Sequence, residues 1–312
     1  MLHEAHFRAM NTEIGAWLWH PHPAATVQLN AVAQLFAAVE NELSRFRPDS
    51  NLSRLNAKAG AGPQPVSHCL QAVLAHALAA ARQSDGVYNP ALLPELQQAG
   101  YDRSFELLPK EMNAPMPLRT ADRRNTWRQV KFEAAEGTVD LPAGLGLDLG
   151  GIAKGWTVDQ ALALLAEWGP ALVDAGGDLR ATGRPNGEAW PVAVQDPFRP
   201  EAELMTLELV NQAVATSSIG GRRWQRNGLP MHHLIDPRTG MPSASDLFAV
   251  TVIATETMQA EVAAKVSLIL GQTAGQAYLE ALGLAGLLIG RQGEQWFVGD
   301  FAHYLQPALI GA

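Results

Sequence analysis

Between Leu29 and Leu43 the apolar residues fall at Leu29, Val32, Leu35, Phe36, Val39 and Leu43. Steps of three and four are the period of an amphipathic helix, so this run predicts one over about residues 24–46. The same spacing returns at Leu70, Val73, Leu74, Ala77 and Leu78, behind a Ser67 suited to cap a helix that runs to about Arg82. Val158, Ala161, Leu162, Leu164 and Leu165 give a further apolar face over 156–168, and helices are also predicted over 92–99, 257–270 and 273–282. Residues 5–19 alternate instead, as a strand or hairpin does. Short apolar runs predict strands near 127–133, 138–141, 171–180, 191–195, 204–210, 213–216 and 248–254, with two more closing the chain. The polar stretch 44–56 holds Pro48 and is read as a loop; 103–125, with Pro109, Pro115 and Pro117, is read as irregular.

Strands precede helices without strict βαβ alternation, which points to an α+β fold: a mixed, mostly antiparallel sheet flanked by helices, expected as one domain over 1–312. An apolar content of 47% against 17% charged is enough for a sizeable core and rules out a disordered chain. The net charge of −8 and the lack of a basic run argue against a nucleic-acid surface, but leave room for a locally positive pocket. The single Cys69 excludes an intrachain disulfide and a cysteine-cluster metal site, and its place at the start of an apolar helix reads as a buried structural thiol. The first eight residues carry charge where a signal peptide needs an apolar core, and no run approaches the roughly 18 apolar residues of a membrane span. The expected location is therefore cytoplasmic.

The stretch Gly144-Leu-Gly-Leu-Asp-Leu-Gly-Gly-Ile-Ala-Lys-Gly155 places five glycines, Asp148 and Lys154 between an apolar run and a helix. Close backbone approach to an anionic ligand asks for such a segment, and so does a plain glycine-rich turn. It is neither of the two familiar phosphate motifs, because Lys154 is not followed by Ser or Thr and Leu149 stands where a dinucleotide fingerprint needs glycine. Other polar residues gather on loops after strands: Asp178, Thr216, Ser217, His233, Asp236 and Arg238. Asp236-Pro237-Arg238-Thr239-Gly240 has the composition of a β-turn, and a histidine beside it is a candidate general base whose ring a carboxylate can orient. A serine hydrolase finds no support, since no Gly-x-Ser-x-Gly elbow occurs.

Taken in order, these motifs resemble those of the ApbE-type FAD:protein FMN transferases. The resemblance runs from Ala9-Met-Asn-Thr12 through Glu42-Leu-Ser-Arg-Phe-Arg-Pro-Asp-Ser50, Gly86-Val-Tyr-Asn-Pro90, Leu147–Gly155 with Asp159, Asp174-Ala-Gly-Gly-Asp178, Gln195-Asp-Pro197, Ala215-Thr-Ser217 and His233–Gly240 to Gly271. It implies a fold with an FAD cleft between two halves. It also implies a magnesium-assisted reaction in which FAD is split, FMN is joined by a phosphoester to a Thr or Ser hydroxyl of an acceptor protein, and AMP leaves. Carried over by position, Met10, Phe46, Val87, Tyr88, Asn89, Asp148, Lys154, Leu234 and Ile235 are expected at the FAD, His233 and Asp236 in catalysis, and Gly151 and Glu261 at the magnesium ion. The competing classes are an FAD carrier, a hydrolase splitting FAD with water, and a structural protein.

Two departures from the family pattern stand out. Gly86-Val-Tyr-Asn-Pro90 has Asn where the family has Asp, which removes a charge and keeps the turn chemistry. Glu261-Val-Ala-Ala-Lys265 replaces a family Asp-x-x-x-Thr that offers magnesium a carboxylate and a hydroxyl. An ammonium has no lone pair and cannot ligate a metal. Three readings follow: an ordinary i,i+4 pair of Glu261 with Lys265; a Lys265 that occupies the ion's place beside the FAD diphosphate; or a magnesium site with one ligand lost.

Overall fold

The computed structural model describes residues 1–115 and 121–306. Eight strands form one sheet: β1 (Leu2–Ala9), β2 (Thr12–Trp19), β3 (Ala171–Ala175), β4 (Asp178–Thr182), β5 (Ala213–Ser218), β6 (Leu247–Ala254), β7 (Ala285–Gly290) and β8 (Gln295–Val298). Their order across the sheet is their order in the chain, with every neighbour antiparallel. Seven helices accompany it among the described residues: α1 (Thr26–Leu43), α2 (Asn51–Ala57), α3 (His68–Gln83), α4 (Leu93–Gln98), α5 (Ala153–Ala166), α6 (Thr257–Leu270) and α7 (Gln272–Leu282). The α+β reading and the mostly antiparallel sheet are thus what the chain forms. No described helix is long and apolar enough to cross a membrane.

Alternation along the strands builds two layers on the sheet. Ala171, Val173 and Ala175 of β3 pack with Val32 and Phe36 of α1 and Val158 and Leu165 of α5, whereas Leu172 packs on the other face against Trp190, Val192 and Leu207. Those last residues belong to a two-stranded hairpin, Trp190–Asp196 with Arg199–Leu209, which closes that face. α6 lies between the sheet and a second helical region, and ten of its fourteen residues are buried. In that region α1, α2 and α3 surround Leu52, Leu74 and Val139, and a small sheet of Gln64–Pro65, Thr138–Asp140 and Lys131–Glu133 completes it.

Contact between α5 and α6 depends on Gly155. A Cβ there would come within 2.7 Å of both the Met258 Cα and its backbone nitrogen, neither of which can rotate away. Gly155→Ala is therefore expected to lower stability by about 1–3 kcal/mol, the usual cost of overpacking, and a denaturant midpoint equal to wild type would contradict this.

Local chemistry accounts for the differences from the expected elements. The loop expected over 44–56 contains α2, because Ser50, two residues past Pro48, accepts a hydrogen bond from the Ser53 N–H and caps a helix that starts at Asn51. The strand expected from Trp127 begins only at Lys131, behind a 3₁₀ turn over Thr126–Gln129. α5 starts at Ala153, inside the glycine stretch. The span read as irregular forms a short strand, Glu111–Met112, that pairs with Gln225–Arg226; Pro117 lies outside the described residues. Cys69 is only half-buried, yet burial and the nearby Glu42 push its thiol up to about 11, so it stays protonated and inert at neutral pH.

Candidate active site

The glycine stretch is held from both sides before any ligand arrives. The Asn56 amide donates to the Leu147 carbonyl at 2.9 Å and accepts from the Leu147 N–H at 2.7 Å, as a strand neighbour would. The Asp148 N–H donates to the Pro90 carbonyl at 2.8 Å, and its carboxylate accepts from the Gly150 N–H at 2.8 Å. The second carboxylate oxygen of Asp148 takes an ion pair from Arg45, whose side chain is only 6% exposed. The Arg45 guanidinium carbon lies 4.1 Å from the Phe46 ring centroid and 4.6 Å from that of Tyr101.

Four cations border the same space, and their pairing differs. Arg45 is neutralised by Asp148. Lys154, in the first turn of α5, is paired with Asp178 in β4 and stands 3.3 Å from a Glu261 oxygen. The other Glu261 oxygen accepts the Gly155 N–H at 2.9 Å. Lys265 and Arg222, by contrast, have no carboxylate within 4.0 Å among the described residues. The i,i+4 pair of Glu261 with Lys265 does not form, because Glu261 turns to α5. Lys265 lies against Gly151, where a Cβ would stand 1.6 Å from its Nζ, and 5.7 Å from the Tyr88 ring centroid. Burial pushes the Lys265 ammonium down from its ordinary value, while the Glu261 and Asp148 carboxylates act in its favour.

The two adjacent histidines have separate tasks. His232 is buried, its Nε2 lies 3.0 Å from the Ser243 carbonyl, and its Nδ1 accepts the Leu234 N–H at 3.3 Å. Both nitrogens are thereby committed to the backbone. His233 borders the cleft, with Nδ1 3.4 Å from the Arg222 carbonyl. A carbonyl can only accept, so Nδ1 carries the proton and Nε2 keeps the ring's free lone pair. Burial, then the Arg222 and Lys265 charges, push His233 well below the usual 6.5. At neutral pH the ring is an uncharged base.

These groups line a cleft of about 340 Å³, within the range of small-molecule sites. Its walls are the α1 end (Leu43 to Phe46), the glycine turn, the β3–β4 turn, the end of β5 at Thr216 to Ser218, and Glu261 and Lys265 from α6. Met10 closes one side with φ near +51°, a strained value for its side chain, and its N–H donates to Glu40 at 3.0 Å. The model of the ApbE family matches residues 10–288. The chain belongs to the ApbE family.

Curated relatives of this ApbE chain include a Treponema pallidum protein named FAD:protein FMN transferase, 35% identical over 276 residues that span 81% of this chain and 75% of that one. A Salmonella typhimurium protein of the same name is 27% identical over 84% of this chain and 77% of its own length. Among solved structures, the ApbE protein of Thermotoga maritima superposes with a TM-score of 0.87 at 22% identity, covering 98% of this chain and 100% of that one. The flavin transferase ApbE of Vibrio cholerae gives 0.80 at 24% identity, over 98% and 99%. At these identities the structures speak for a shared fold.

The ApbE chain brings Met10, Phe46, Asp148, Gly151, Lys154, His233, Leu234, Glu261 and Lys265 to one cleft. Other expected site residues stand behind its wall. Val87 and Tyr88 are buried in the α3 core, and the Tyr88 hydroxyl has no hydrogen-bond partner. The Asn89 amide donates to the Arg123 carbonyl at 2.7 Å and accepts from Ala91 at 2.9 Å, a turn role that explains why Asn suffices there. Ile235 packs with Trp224 and Met231. Asp236, expected beside His233, is instead held by the Arg238 guanidinium at 2.8 Å, which also donates to the Ile269 carbonyl at 3.1 Å. That carboxylate ties the turn to α6, and the ring of His233 takes its orientation from Arg222. Sequence reasoning passed over Arg45, although it lies in the Glu42–Ser50 motif, and gave Arg222 no role; their partners are remote in the chain.

Proposed function

We propose that this chain is an FAD:protein FMN transferase, moving the FMN part of FAD to a Thr or Ser hydroxyl of an acceptor protein. One observation carries the reading: two cations with no carboxylate partner among the described residues, Lys265 and Arg222, border a glycine turn beside a neutral imidazole. The diphosphate of FAD brings two negative charges, which those cations complement, and the glycines let it approach the backbone. Phe46 and Tyr101 offer aromatic surface for a flavin or adenine ring. The names of the relatives support the same activity.

The chemistry then follows from the residues. His233 Nε2 accepts the proton of the acceptor hydroxyl, whose oxygen bonds to the flavin-side phosphorus. The bond from that phosphorus to the bridging oxygen breaks, and AMP leaves with the electron pair. Arg222 and Lys265 offset charge that grows on the transferring oxygens, and they are in position beforehand. The family's magnesium does not fit these residues: Glu261 is engaged by Gly155 and Lys154, and an ammonium stands at Gly151.

The test is incubation with FAD and a protein bearing a Ser/Thr acceptor site. The expected outcome is flavin fluorescence that stays with the acceptor band in a denaturing gel, with equimolar AMP. Release of free FMN and AMP without labelling would replace this reading with a hydrolase; retained, uncleaved FAD would make it a carrier.

A further inference from the structure

We propose that the Lys265 ammonium is this chain's built-in counter-charge for the substrate diphosphate, and that transfer proceeds without a divalent cation. The inference rests on the transferase reading above and deepens it.

Three observations carry it. The first is position: Lys265 Nζ occupies the space over the glycine turn, since a Cβ on Gly151 would lie 1.6 Å from it and 2.7 Å from Cε. A cation drawing on Gly151 and Glu261 would have to share that space with a like charge. The second is the donor set. Magnesium asks for near-octahedral oxygen ligands at about 2.0–2.1 Å, and the position one turn after Glu261 supplies three N–H donors and no lone pair. Glu261 itself, buried, holds the Gly155 N–H at 2.9 Å and faces Lys154 at 3.3 Å, so it joins α6 to α5. Third, Lys265 has no carboxylate within 4.0 Å among the described residues, which leaves its charge for a ligand.

Charge balance agrees. A single ammonium replaces half of a divalent ion's charge, and Arg222, likewise without an acidic partner among the described residues, supplies the other half. Atoms balance as in the metal-free step already written: hydroxyl oxygen to phosphorus, proton to His233, electron pair to the departing AMP. Lys265 acts through its charge and takes no part in the proton transfer.

The experiment has two arms. In the first, manganese(II) is titrated into the FAD complex and followed by its free-ion EPR signal, with FAD alone as reference. Wild type is expected to take up no more than the reference, and Lys265→Thr, which restores a hydroxyl and removes the charge, is expected to take up one ion per chain. In the second, flavin transfer is timed in EDTA and in magnesium. Wild type is expected to give the same rate in both, Lys265→Met to lose at least about 10²-fold in both, and Lys265→Thr to recover only with magnesium. Tight wild-type binding of manganese, or wild-type transfer abolished by EDTA, overturns the proposal. If wild type transfers nothing under either condition, the transferase reading falls and the proposal with it, whereas a manganese-binding wild type that transfers only with magnesium sinks the proposal alone. Thermal melts identify a variant that fails to fold, and the wild-type comparisons decide without it.

Discussion

Changing His233 to alanine is expected to slow flavin transfer by about 10²–10⁴-fold, the usual worth of a positioned general base, while FAD still binds. The ring reaches the cleft from the loop that follows His232, and the Arg222 carbonyl fixes its tautomer so that Nε2 is the acceptor. Glutamine is expected to be equally poor, since an amide fills the space but takes no proton at neutral pH. Because burial and two cations push His233 well below 6.5, it stays neutral as the pH falls through that value. The wild-type rate is therefore expected to hold at pH 6, where an ordinary histidine would be mostly charged. The stability linkage has the same origin. The unfolded chain takes up this proton more readily, so the contribution of His233 is intact above 6.5 and is lost as acid lowers the pH from there towards the folded value. Single-turnover rates across pH 5 to 8 settle the point: a wild-type rate that halves near 6.5, or an alanine variant within tenfold of wild type, would remove His233 from the role.

Gly86→Ala is expected to be the most disruptive small substitution near the cleft. Gly86 ends α3 with φ near +74°, and its N–H donates to the Ala81 carbonyl at 2.7 Å. An alanine there would adopt a left-handed backbone, and its Cβ would meet the Arg124 carbonyl oxygen at 1.8 Å. Conformational strain and a clash with backbone add to about 2–5 kcal/mol. The damage would spread, because Val87 and Tyr88 follow directly and sit in the core under Lys265. Urea melts of the two proteins measure it. A midpoint shift smaller than that of Gly155→Ala would show that the 121–126 segment yields, and the argument from close approach would fail there.

Much of the fold could be read from periodicity, because the helices that shape it are amphipathic over many turns. Leu29, Val32, Phe36, Val39 and Leu43 are buried on α1 as their spacing requires, and Ser67 caps α3 as expected. α2 escaped because seven residues with two buried leucines give too short a pattern to outweigh Pro48 and the polar neighbours. The site was legible where backbone chemistry writes itself into sequence, in the glycines near Asp148 and the turn after His233. It was not legible where function depends on pairing across the chain. Asp236 looked like a partner for His233 by adjacency, yet Arg238 claims it. Glu261 and Lys265 looked like partners by helical spacing, yet Glu261 accepts from Gly155, 106 positions earlier. Arg45 read as a loop charge, and only the fold brings Asp148 and Tyr101 to it.

The mounting of Glu261 and Lys265 on α6 has a dynamic consequence. With most of that helix enclosed between β5, β6, α5 and α7, its amides have no local route to solvent. Their deuterium uptake should occur only when the whole molecule opens, unlike that of the exposed ends of β1. A cleft carried on such a beam does not soften ahead of the rest, so on warming the capacity to hold flavin and the native signal should vanish at one temperature.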